Sequence, residues 1–149
     1  MKVNHNINLT IITDSDIDII KEFKDEVVIN TIAELRQINS KFVVFNDVIR
    51  YLSNSEKERF FTNLEMQDIN FINVTSNIEE SLFSHKIMII NKGKVAIEGT
   101  TLSVLKEEKL LKRLGISLPF CIDLSTQLNY YGLIDSFYLD EEALVNKLW

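Results

Sequence analysis

The stretch Lys41 to Thr75, KFVVFNDVIRYLSNSEKERFFTNLEMQDINFINVT, decides the fold class. It opens and closes on short apolar runs, Lys41 to Phe45 and Asn70 to Val74. Between them Ser53 and Glu56 stand at capping-box spacing ahead of Phe60, Phe61 and Leu64. In such a box the Ser oxygen accepts from the backbone three residues on, while the Glu side chain reaches back to the cap. The unit therefore reads strand, helix, strand. The continuous β-branched and aromatic runs suit strands covered on both faces of a parallel sheet.

Outward from this unit the same alternation recurs. Ile7 to Ile12, Val27 to Ile29 and Lys86 to Ile90 are further strand-like runs. Ile17, Ile20 and Phe23 share a helical face, with Asp14, Ser15 or Asp16 available as its cap. Thr31 with Glu34, and Ser76 with Glu79, repeat the capping-box spacing. Parallel strands joined by right-handed crossovers are the natural assembly. Asn91 to Lys94 then separate the last parallel strand from the run Val95 to Glu98, which predicts a β-hairpin.

Beyond Gly99 the pattern is helical. Leu102, Leu105, Leu110, Leu111 and Leu114 form one apolar set ended by Gly115. Pro119 opens a second helix through Leu124, Leu128 and Tyr131 to Gly132, and Asp140 caps a last one through Leu144 and Leu148. The expected organisation is an α/β core over residues 1–99 and a C-terminal helical extension over residues 100–149, packed as one compact unit.

Composition narrows the function classes. The chain has 149 residues, which suits one domain and not two full α/β domains. No segment approaches the about 20 apolar residues that span a bilayer, and the N-terminus lacks a signal-peptide pattern, so a cytoplasmic location is expected. A net charge of −6 gives no general attraction to phosphate backbones, which argues against nucleic acid as a partner. One cysteine, Cys121, and two histidines offer neither a disulfide nor a structural zinc site, and no metal site is expected. Cys121 follows Pro119 and Phe120 in an apolar setting and reads as a packing residue.

From Lys41 onward the order of motifs resembles an ABC-type ATPase. KFVVFNDVIRYLSNSEKERFF resembles the Walker B strand, the D-loop turn and the helix that follows. INFINVTSNIEESLFSHKIMIINKGKVAIEGTTLSVLKEEKLLKRLG resembles the switch-histidine strand, its helix and the final hairpin. ISLPFCIDLSTQLNYYGLIDSFYLDEEALVNKLW resembles the small C-terminal extension of the energy-coupling-factor branch, which serves cobalt and vitamin transport. The resemblance implies a P-loop NTPase-like sheet from which the helical subdomain is missing, because the interval between Phe23 and Lys41 is too short to hold it and its LSGGQ signature.

Measured against that family, the catalytic motifs are degenerate. A phosphate loop needs glycines that let backbone N–H groups close around the phosphates, a Lys, and a hydroxyl for Mg²⁺. The corresponding residues Thr13, Asp14, Ser15 and Asp16 contain neither Gly nor Lys, and their carboxylates would repel a triphosphate. The Walker B Asp and the catalytic Glu fall on Asn46 and Asp47, and the switch His falls on Ser76. In a purely structural reading, Asn46 and Asp47 cap the next helix and Ser76 caps its own. The expectation is a pseudo-ATPase with no cofactor.

In the resembled family the C-terminal extension keeps two ATPase subunits paired. Leu118, Pro119, Phe120, Leu124, Leu128, Tyr131 and Trp149 would form the apolar, aromatic interface, aromatics being enriched at such surfaces. Expected partners are a second copy or an intact ABC ATPase subunit, with peripheral attachment to a membrane transporter following from the latter. Two alternatives stay open. One is an unrelated α/β binding module. The other resembles a response-regulator receiver domain, with Asp14 and Asp16 on Mg²⁺, Asp47 accepting phosphate, and Thr75 and Lys92 contacting it.

Overall fold

The computed structural model describes residues 3–13, 19–134 and 141–148. Six strands, β1 (Leu9–Thr13), β2 (Val28–Ile29), β3 (Phe42–Asn46), β4 (Asn70–Thr75), β5 (Lys86–Asn91) and β6 (Lys94–Thr100), form one sheet in the order β2-β3-β4-β1-β5-β6. Every pairing is parallel except β5 with β6. The fold is α/β, a mainly parallel sheet with flanking helices, as the alternation of runs predicts.

The order removes the receiver-like alternative. Doubly wound receivers follow the order 2-1-3-4-5, which sets the first and third strands side by side. Here β4 lies between β1 and β3, so the strand ends that would share a phosphorylation site are not neighbours.

Side-chain alternation splits the core into layers. Val43, Phe45 and Phe71 face α2 (Asn54–Met66) and pack with its Phe61 and Leu64. Phe42, Val44, Ile72 and Val74 point the other way, onto Ile19 and Phe23 of a 3-10 turn, Ile19–Phe23. On the β1 and β5 half of the sheet, Ile12, Ile87 and Ile89 are covered by Val104, Leu105, Leu111 and Ile122. These come from α3 (Thr101–Leu105), α4 (Glu108–Arg113) and α5 (Phe120–Tyr130).

Local signals explain most boundaries. Ser53 and Glu56 form the predicted capping box of α2, and Thr31 accepts from the Glu34 N–H to start the one-turn helix α1 (Ile32–Leu35). At the hairpin, Lys92 and Gly93 both take positive φ, 52° and 80°, the backbone that a two-residue turn needs to follow strand twist. The register shifts between Ile89 and Ile90, leaving Ala96 as an extra residue that bulges β6.

Three expectations need correction. Ser76 does not cap the segment after β4; Asn77 does, its side chain accepting from the Glu79 N–H, because the segment is a 3-10 helix, Ile78–Phe83, that starts one residue later. Asn46 and Asp47 cap no helix either, since the short 3-10 turn Ile49–Tyr51 begins at Val48 without a side-chain cap. The single helix expected from Leu102 to Leu114 is two, because Glu107 leaves helical backbone at ψ 62°. The last helix, α6, spans Glu141–Leu148, and its proposed cap Asp140 lies outside the described residues.

Candidate functional site: the polar corner above β3 and β4

The chain leaves β3 at Asn46 and turns at Asp47, whose φ of 50° is left-handed. Asp tolerates that region better than most residues, and a non-glycine held there often marks a special site. The Asp47 N–H donates to the Val74 carbonyl at 2.8 Å, which ties the turn to β4. Its carboxylate then meets two donors. Arg50 Nη1 lies 3.1 Å from Oδ2, and Thr75 Oγ1 lies 3.4 Å from Oδ1. The Asp47 hydrogen bond and charge raise the Arg50 pKa above its usual value. Asn46 faces the other way and donates from Nδ2 to Asn30 Oδ1 at 2.8 Å.

Beneath this turn lies a buried polar cluster that the sequence reading missed. The α2-side face of β1 and β4 presents Thr10, Asn73 and Thr75, all buried. Polar atoms removed from water need partners, and the 3-10 segment supplies them. Thr10 Oγ1 pairs with Ser84 Oγ at 2.8 Å. Glu80 accepts from Asn73 Nδ2 at 2.9 Å and from Thr75 Oγ1 at 3.1 Å. One hydroxyl hydrogen serves one acceptor at a time, so the shorter contact makes Glu80, and not Asp47, the better acceptor from Thr75.

Burial holds the Glu80 carboxyl above its ordinary range, against the lowering effects of Asn73, the Lys57 charge and Thr75. Asn73 Oδ1 is buried with no hydrogen-bond partner among the described residues. The sequence signal for this cluster was available: three polar side chains alternate onto one face of otherwise apolar strands.

The other predicted positions fall one strand away. Thr13 and Ser76 are brought together at the ends of β1 and β4, where they line a cavity of about 170 Å³. Its remaining walls are mainly apolar, Ile12, Ile89, Ile90, Leu114 and Ile116 with Asn91. Asp14, Ser15 and Asp16 lie outside the described residues. Among the described residues no group of three or more His, Cys, Asp or Glu is arranged to hold a metal ion.

The predicted C-terminal interface divides. Pro119 is buried, and Leu118 packs against the core cluster around Ile122, so both serve the interior. Leu124 and Leu128 are half-buried. Phe120 and Tyr131 are 61% and 71% exposed, and they are joined by Tyr130 at 83% and Leu133 at 65%, which the sequence reading omitted. Tyr130 and Tyr131 meet edge to face with centroids 5.2 Å apart. Trp149 lies outside the described residues. No helix is long and apolar enough to cross a membrane, among the residues described.

Comparison with known proteins gives the context for this geometry. No family model matches the chain. The energy-coupling factor transporter ATP-binding protein EcfA1 of Listeria monocytogenes is 33% identical over 86 residues, covering 57% of this chain and 31% of the relative. EcfA1 of Bacillus subtilis is 35% identical over 79 residues, covering 52% of this chain and 28% of the relative. EcfA1 of Mycoplasma genitalium is 26% identical over 124 residues, which is 79% of this chain and 44% of that protein.

Among solved structures, cbiO1 of Clostridium perfringens, described as part of the ABC transporter complex cbiONQ, overlays on 63% of this chain and 37% of its own at a TM-score of 0.41 and 17% identity. The chain spans about a third to under half of the length of the curated relatives it matches. Over that span it is similar to the ATP-binding subunits of energy-coupling-factor transporters, as the order of its motifs from Lys41 onward predicts.

Proposed function

We propose that this protein is a non-catalytic relative of energy-coupling-factor ATP-binding subunits that acts by association, either with a second copy or with an intact ATPase subunit. The observation that carries the reading is the state of Asn46 and Asp47. An active site would keep these two positions free for Mg²⁺ and for the attacking water. Here Asn46 is engaged with Asn30, and Asp47 with Arg50. The adjoining corner at Thr13 and Ser76 supports the same reading, because its described lining is mainly apolar. No Lys or Arg is among its described lining residues.

Association is supported by the exposed set Phe120, Tyr130, Tyr131 and Leu133 at the two ends of α5. Two measurements test the proposal. Calorimetric titration with Mg-ATP is expected to give no heat of binding up to millimolar nucleotide, and micromolar affinity would overturn the non-catalytic reading. Light scattering at tens of micromolar, alone and mixed with an intact ATPase subunit, is expected to show a mass above that of the monomer. A monomer in both experiments would remove the associative role.

A further inference from the structure

We infer that the groove between α2 and α6, at the edge where the parallel strands begin, docks a basic amphipathic helix of a partner protein. Asn8, Phe71 and His85 place this groove at the opposite end of the sheet from Asp47. It measures about 830 Å³ and is lined by Phe83, which is half-buried, and by the buried rings of Phe61 and Phe71 behind it. Phe61 and Phe83 stack with centroids 4.7 Å apart at an interplanar angle of 12°. Val145 of α6 adds an apolar wall and is 44% exposed.

Charge complementarity identifies the occupant. Glu58 and Glu65 come from α2 and Glu142 from α6, and no Lys or Arg is among the described lining residues. Glu58, Thr62 and Glu65 follow at i, i+4 and i+7, one face of α2, so the two carboxylates stand about 10 Å apart along the axis at 1.5 Å per residue. A compact cation would meet one of them. A helix with basic residues seven apart meets both, while its apolar residues reach the phenylalanines, the helix-in-groove mode of recognition. The exposed ion pairs set register and encounter rate, and the apolar contacts supply most of the affinity. This inference rests on the groove alone and is independent of the nucleotide reading.

The test uses the full chain and a fluorescent synthetic helix of Leu and Lys, with Lys seven residues apart, followed by anisotropy. Saturable binding is expected, weakened about tenfold by Glu58→Gln/Glu65→Gln and further by raised salt. The pair Glu98→Gln/Glu107→Gln has the same net charge outside the groove and is expected to change affinity by less than about twofold. Val145→Asp, at an exposed site, is expected to weaken binding through the apolar wall, with circular dichroism confirming the fold of each variant. Four results would overturn the proposal: no binding, equal losses in the two double variants, equal affinity for a peptide with Lys replaced by Glu, or groove-dependent binding of benzamidinium but not of the peptide.

Discussion

Arg50 Nη1 lies 3.1 Å from Asp47 Oδ2, three residues back along the chain, and this contact braces a left-handed turn at the end of β3. Both side chains are partly exposed, so the pair orients the carboxylate more than it stabilises the fold. Placing at this corner the acidic pair of the resembled ATP-binding subunits, Asn46→Asp with Asp47→Glu, is expected to yield no Mg-ATP turnover above buffer in a phosphate-release assay. The glycine loop and its lysine would still be missing from the sequence. A glutamate also tolerates positive φ less well than Asp, so this variant should lose about 1 kcal/mol of unfolding free energy. Measurable turnover would show that two residues suffice to recover an enzyme.

Glu80 makes stability depend on pH. Its folded pKa is raised, with burial as the largest cause, from an ordinary value of 4.5. The folded state therefore binds this proton more tightly than the unfolded chain does. The resulting stabilisation is fully present below the unfolded value and is lost as pH rises through the folded one. Urea unfolding from pH 4.5 toward neutrality should show a declining component that Glu80→Gln abolishes. An unchanged slope in that variant would assign the pH dependence to other groups.

Phe45 is fully buried and touches three other rings, Phe60, Phe61 and Phe71, with centroids 5.5, 6.3 and 5.7 Å away. Phe45→Ala should cost about 3–5 kcal/mol, since it removes a large side chain between β3 and α2 where neighbours cannot close the gap. Chemical denaturation measures this directly.

Phe120→Ser with Tyr131→Ser removes two exposed rings. Unfolding free energy should stay within about 0.5 kcal/mol for each change, while the mass in light scattering should fall toward the monomer. Loss of stability comparable to a core mutation would place these rings in packing instead of association.

Much of the fold was legible because its signals are local. The capping box at Ser53 and Glu56, the hairpin at Lys92 and Gly93, and the continuous strands each follow from residues a few positions apart. The strand order was not local: nothing near Ile11 announces that β4 and β5 are its neighbours. The candidate site divides the same way. Asn46 and Asp47 were singled out by motif position and Arg50 lies three residues from Asp47, whereas Asn30 and Thr75 come beside them only because β2 and β4 pair with β3. Glu80 escaped notice because an acidic residue three positions past a helix cap ordinarily reads as solvated, yet here the 3-10 segment turns it inward onto Asn73 and Thr75. Ser76 with Glu79 has capping-box spacing, but Asn77 with Glu80 has it too, and only the backbone distinguishes them.

The two margins of the sheet have a consequence for how copies can meet. One is closed by β2, only two residues long, and the other by β6, distorted at Ala96. A lateral row of amide and carbonyl groups that is too brief or too irregular offers a poor template for a strand from another molecule. Crowding of this protein should therefore favour discrete complexes built from side chains over open-ended fibrils.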